Sequence, residues 1–224
     1  MSELFSRRQI LFGFGAVAGG LGLPVAAGAA GDPFALQTEY VADAIFGNGR
    51  NARPGRFGRV RGAIRQEIDG GGGMHTVIVR LDQNVAWTMP PGMRLVIECD
   101  LRNLNLPVAA LSGAPGGGLR KIAGPRENVE GTATTRYRVE TQPPTAAQFA
   151  GDVWATDRGV IMRVVGDVAY NGHRTDLSAV FRNVRETRQD PNLFELPGGY
   201  RRVIVPLENV QQILESMSRF GAPR

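Results

Sequence analysis

The sequence predicts a mainly β protein: one strongly curved antiparallel sheet, a half-barrel, with helices across its open side. Three observations carry this. Apolar residues recur with period two along many short segments, the mark of strands with one buried face. Tight-turn residues separate these segments. No helical pattern alternates with the strands, so a meandering antiparallel sheet is expected rather than a parallel one.

Element by element, RVRGAIRQEI (59–68) sets Val60, Gly62, Ile64 and Ile68 against Arg59, Arg61, Arg65 and Glu67. DGGGG (69–73) follows as a hairpin turn, because glycine takes positive φ without penalty. It lacks the Lys-Ser/Thr and following helix of a phosphate loop. MHTVIVRL puts His75, Val77, Val79 and Leu81 on one face, and Asp82-Gln83-Asn84 turns the chain. VAWTM alternates Val85, Trp87 and Met89; Pro90-Pro91-Gly92 turns again; MRLVIEC aligns Met93, Leu95, Ile97 and Cys99. LRNLNLPVAALSG is expected to hold a short helix, and GAPGGG a loop. TATTRYRVE, DVWAT, VIMRVVGDV and DLSAVFRNV form a second antiparallel group. Its breaks are Thr156-Asp157-Arg158-Gly159 and Tyr170-Asn171-Gly172. Pro206-Leu207-Glu208 opens an amphipathic C-terminal helix with Leu207, Val210, Ile213, Leu214 and Met217 on one face.

The N-terminus reads as a cleavable export signal over residues 1–29. Arg7 and Arg8 precede a mildly apolar, glycine-rich run, and Ala27-Gly28-Ala29 offers small residues for cleavage. The paired arginines make it a twin-arginine type, and the glycines make a poor spanning helix. Residues 30–224 then form a single domain, exported to the periplasm.

Composition excludes more than it assigns. The net charge is +5, but basic and acidic residues alternate, so no nucleic-acid stripe stands out. Cys99 is alone, which excludes an internal disulfide, and its apolar strand suggests a buried thiol. His75 and His173 are the only histidines, without zinc-ligand spacing. No serine sits in a nucleophile elbow, and no dinucleotide or haem motif occurs. No catalytic residue, metal or cofactor is therefore expected.

A more specific expectation comes from NVEGTATTRYRVE, DVWATDRGVIMRVVG and FRNVRETRQDPNLFELPGGYRRV, taken in that order. They resemble a bacterial periplasmic family, largely uncharacterised, related to the outer-membrane lipoprotein carriers (LolA/LolB-like). The matching positions are Gly131, Tyr137, Trp154, Arg163 and Asn183, then Gln189, Asp190, Pro191, Leu193, Phe194, Pro197, Gly199 and Tyr200. The resemblance covers roughly residues 38–203 and is strongest at its C-terminal end. It implies a curved sheet that holds acyl chains or lipoprotein segments in its concave face. The twin-arginine signal departs from what the lipoprotein carriers use.

The candidate ligand face is Trp87, Met89, Met93, Leu95, Tyr137, Trp154, Met162 and Phe181, all on apolar faces of expected strands. The other reading is a filled barrel that binds a partner protein in the cell envelope. The twin-arginine export machinery is a further expected partner. The Phe194–Tyr200 segment is expected to pin a terminal loop onto the sheet.

Overall fold

A computed structural model describes residues 33–70, 72–101, 119–141, 147–170 and 173–206 of the chain. The expected export signal, with Arg7, Arg8, Ala27 and Ala29, lies outside the described residues. So do most of the short-helix stretch after Leu101 and the C-terminal helix. Among the described residues there is no α-helix, and none long and apolar enough to cross a membrane.

Among the described residues, twelve strands form one open, curled sheet in the order β12-β6-β5-β4-β3-β2-β1-β11-β10-β9-β8-β7. The first meander comprises β1 (Tyr40–Phe46), β2 (Arg53–Val60), β3 (Ala63–Asp69), β4 (Met74–Arg80), β5 (Val85–Met89) and β6 (Leu95–Asp100). The second comprises β7 (Leu119–Val129), β8 (Thr132–Thr141), β9 (Ala147–Ala155), β10 (Ile161–Tyr170) and β11 (His173–Glu186). An antiparallel seam between β1 and β11 joins them, Tyr40 opposite Glu186 and Phe46 opposite Ala179. The last strand, β12 (Arg201–Ile204), departs from the expected all-antiparallel pattern and pairs parallel with β6.

One local misreading has a physical cause. The run 59–68 is two strands, because Arg61 and Gly62 make a two-residue hairpin between Val60 and Ala63. Gly62 alone of the two takes positive φ, at 82°. The turn reverses the alternation, so Arg59 faces the same side as Ile64 instead of the opposite side. The DGGGG turn is a hairpin as expected, with Asp69 opposite Met74.

The Asn-Val of FRNV marks a β-bulge. Register shifts between Val41 and Asp43 opposite β11, and Asn183 takes φ 48°. Asparagine tolerates that left-handed conformation. Its Nδ2 donates to Asp43 Oδ2 across the seam at 2.8 Å.

Residues 187–200 cross the outer side of β2–β5 before β12 begins. Thr187 N donates to Glu39 O and Gln189 N to Glu39 Oε2. Asp190 caps the Pro191–Phe194 3-10 turn by accepting from Asn192 N. Phe194 is buried with Ala63, Ile78, Trp87, Met89 and Val96. Arg65 and Arg80 donate to the carbonyls of Leu193 and Phe194, and Arg80 also pairs with Glu195. The expected pinning role holds for Phe194; Tyr200 is 37% exposed.

Candidate functional site

The two faces of the sheet differ in content, and register identifies them. One inner row runs Tyr40, Arg59, Ile64, Val79, Ala86, Cys99. The next runs Ala42, Phe57, Gln66, Val77, Thr88, Ile97. Across the seam, Phe46 continues through Ala179, Val164 and Val153 to Tyr137. All but Tyr137 of these row members are buried, Cys99 included.

Phe34 shows that this is the concave side. Its carbonyl accepts from Arg59 Nη2 on β2 at 3.2 Å, and its ring meets Tyr137 on β8 edge-on at 5.4 Å. In a flat sheet five strand spacings separate β2 from β8, about 24 Å. One buried phenylalanine touches both only because the sheet curls around it. Lys121 Nζ sits 5.1 Å from the same ring, a cation–π contact.

Strands β9 and β10 approach each other unusually closely at one point. Gly151 and Gly166 face each other, and the ring of Phe149 lies over both. A Cβ at either would come within 2.7 Å of the other's Cα. Only glycine lets the two backbones and the ring approach this closely.

The eight sequence-nominated residues divide between the two faces. Tyr137 lies on the concave side, and Met162 and Phe181 are buried in the same cluster. Leu95 shares the face of Ile97 and Cys99 by alternation and is half-buried. Met93 precedes β6 and is half-buried. Trp87 and Met89 are on the outer side, beneath Phe194. Trp87 pairs with Ile78 and Glu98, one residue out of step with the Leu95 face, and its Nε1 donates to Glu98 Oε2 at 2.8 Å. Trp154 belongs to the large cluster, although it pairs with Arg136 and Arg163. Both guanidinium carbons lie within 5.3 Å of its ring centroid, and its Nε1 donates to Glu127 Oε2. Trp87 and Met89 thus pack on the outer side rather than on one apolar face shared with the other nominated residues. Both tryptophans already have their N–H groups satisfied.

Sequence reasoning missed the polar residues of the concave face: Tyr40, Arg59, Gln66 and Thr88. All are buried. Burial pushes the Tyr40 phenol above its ordinary pKa, against the opposing pull of Arg59. The signal available was Arg-Gly at 61–62. Reading it as a turn places Arg59 with Ile64 and Gln66 with Phe57.

Away from this face, a groove of about 600 Å³ is lined in part by Asp43, Arg56, Glu67, Asp69, Arg182 and Asn183. Its charges are of both signs. Arg65–Glu67 and Arg182–Glu130 pairs use part of them. Among the described residues no group of three or more His, Cys, Asp or Glu could hold a metal ion.

His75 stands opposite Ile68 on the concave rim, as its alternation predicted. Burial lowers its pKa below 6.5. Between that lowered value and 6.5 the unfolded chain binds the proton better. Its contribution is therefore complete above about pH 6.5 and declines as pH falls. Denaturation midpoints from pH 7.5 to 5 are expected to drop less in His75→Gln than in wild type.

No family model matches the chain, and no curated protein matches it. Among solved structures it is similar to an uncharacterized conserved protein from Thermus thermophilus, with a TM-score of 0.46 and 11% identity over 76% of this chain and 92% of that one. It is also similar to Pseudomonas aeruginosa MucB in its complex with MucA. There the TM-score is 0.40 and the identity 11%, over 75% of this chain and 59% of that one. A putative outer membrane lipoprotein-sorting protein domain from Vibrio parahaemolyticus has a TM-score of 0.37 and 12% identity, over 73% of this chain and 92% of that one.

Proposed function

We propose that this chain is an exported, non-catalytic binding protein of the bacterial periplasm. It holds an apolar ligand — a lipid, an acyl chain or a lipoprotein segment — in the concave face of its sheet. The observation that carries this reading is the concave face itself. It is a predominantly apolar surface continuous from β8 across the seam to β6, on a sheet left open rather than closed into a barrel. An open, curled sheet must fill that face with side chains, a covering segment or a ligand. Phe34 already occupies part of it with an aromatic ring from the strand-preceding segment. Of the residues nominated from sequence, Leu95, Tyr137, Met162 and Phe181 are the candidate contacts on that side of the sheet. Export through the twin-arginine machinery, with cleavage after Ala29, is part of the same proposal.

The test is native mass spectrometry of the mature protein purified from its own periplasm, before and after solvent extraction. A stoichiometric mass increment that disappears on extraction is expected. A bare polypeptide mass that stays unchanged after incubation with phospholipid and fatty acid overturns the reading and favours an envelope protein as partner.

A further inference from the structure

The outer side of the seam carries an apolar strip with an unpaired arginine at each end. Register sets Arg163 opposite Val180, Val180 opposite Ile45, and Ile45 opposite Pro54. The chain neighbours Val164, Ala179 and Phe46 form an inward row, so these four face outward. Val180 and Ile45 are half-buried, while Arg163, Pro54 and Arg56 are exposed. Arg56 lies two residues beyond Pro54 on the same face, and both line the outer groove. Arg56 stands between Asp43 and Glu67, yet both carboxylates are engaged elsewhere. Asp43 Oδ2 accepts from Asn183 Nδ2 at 2.8 Å, and Glu67 Oε1 accepts from Arg65 Nη2 at 2.6 Å. Asp69 is not free either, and the groove's other guanidinium, Arg182, is held by Glu130 at 3.1 Å. Arg163 has its guanidinium carbon 4.8 Å from the Trp154 ring centroid. Among the described residues no carboxylate pairs with Arg56 or Arg163. Stacking uses a guanidinium's flat face and leaves its N–H edge open to an acceptor.

From this we infer that the strip docks an extended acidic segment of a partner protein. The segment carries two carboxylates about four residues apart, with an apolar side chain midway. In a flat sheet Arg163 and Pro54 are three strand spacings apart, about 14 Å, and Arg56 lies about 7 Å further along β2. Four residues of extended chain also span about 14 Å, and the reach of the arginine side chains covers the rest. Period two then puts three alternate side chains of the segment on one face. The first acid meets Arg163, the apolar side chain lies on Val180 and Ile45, and the second acid meets Arg56. Each carboxylate finds a guanidinium whose donors are unspent, so no existing pair has to break. An anionic membrane surface would press its charge onto Asp43, Glu67 and Asp69 as well, because they share the groove. A single chain carries its charge to two points only. The strip is on the outer side of the sheet, so the inference does not depend on what the concave face holds.

The experiment titrates the protein, purified from its own host, into a fluorescein-labelled peptide, Gly-Asp-Thr-Val-Thr-Asp-Gly, and reads anisotropy. The control peptide has both aspartates replaced by asparagine. The acidic peptide is expected to bind about tenfold more tightly than the neutral one, and to weaken as NaCl is raised. Arg56→Gln and Arg163→Gln are each expected to weaken the acidic peptide about two- to fivefold, the range for one exposed ion pair, and to leave the neutral peptide unchanged. Arg174→Gln, at an exposed arginine six residues from Val180 along β11, is expected to bind both peptides as wild type does. Arg56 holds no ion pair that its loss would break, so its variant is expected to unfold at the wild-type temperature. Equal affinity for the two peptides overturns the acidic class. Wild-type affinity in both Arg56→Gln and Arg163→Gln overturns the site. Unchanged anisotropy up to about millimolar protein overturns the docking itself. Phosphatidylglycerol vesicles are the last arm: stronger binding to them than to the peptide, lost in Arg56→Gln, assigns the strip to a membrane surface and overturns the partner segment.

Discussion

Phe194→Ala is expected to lower the free energy of unfolding by about 3–5 kcal/mol, the usual cost of emptying a buried phenylalanine site. The ring fills the outer-side cluster of Ala63, Ile78, Trp87, Met89 and Val96. It also lies over Gly58, where a Cβ would meet its Cζ at 3.5 Å. The loss does not stop at the cavity. Phe194 is the apolar anchor of the segment that carries the chain to β12. Arg65 and Arg80 donate to the Leu193 and Phe194 carbonyls, and these bonds weaken once the ring no longer fixes the turn. Denaturant titration measures the stability, and amide exchange of Val203 and Val205 reports whether β12 has loosened. Leu193→Ala, one residue away but 44% exposed, is the control, with an expected change below about 0.5 kcal/mol. Equal effects from the two variants would show that the segment does not depend on the Phe194 pocket.

Gly159→Ala is the second large effect, about 2–4 kcal/mol, and it acts on the concave side. Gly159 takes φ 76°, which costs an L-residue about 1–2 kcal/mol. A Cβ there would also drive into the Ala35 carbonyl, a backbone atom that cannot rotate away. The same turn holds the segment through Gln37 N to Arg158 O and Gln37 Nε2 to Asp157 O. Pushing that segment off the β9–β10 turn withdraws Phe34 from between Arg59 and Tyr137. Thermal unfolding gives the stability. Limited proteolysis between residues 33 and 39 gives the displacement, and resistance there equal to wild type would show that the turn does not hold the segment in place.

The sequence made the strands legible where one face is apolar and the other charged. MHTVIVRL has the expected faces because alternation there is uninterrupted; in TATTRYRVE, Tyr137 and Val139 share the expected face, but Ala133 is exposed and Thr134 buried. Legibility failed at three kinds of place. A two-residue turn hidden in an alternating run, Arg61-Gly62, moved Arg59 to the other side. Strands with weak contrast went unread: β1 mixes alanines with Asp43, and most of β7 is exposed on both faces. The third failure concerns the site. Period two says which residues share a face within one strand, but not which faces of neighbouring strands coincide. Trp87 and Leu95 are both apolar members of good alternations, yet the β5–β6 register puts Ala86 and Thr88 with Ile97 and Cys99. Register is a property of pairs, and one residue of slip inverts it. In the C-terminal motif the anchoring by Phe194 was legible, because proline and an aromatic at fixed offsets constrain a crossing segment, whereas the exposure of Tyr200 was not.

The seam between β1 and β11 sets a timetable for synthesis. The first meander can pair its own neighbours as it emerges, but Tyr40 has no partner on its far side until Glu186 has been made. Leu95 likewise waits for Arg201. At about 5–20 residues per second, β1 waits on the order of 10 s with one edge open. During that interval the nascent half-sheet carries two open edges, each able to accept a foreign strand. Both are closed by strands made well after the edges they cover. Early release or truncation therefore yields an adhesive fragment rather than a smaller version of the same protein.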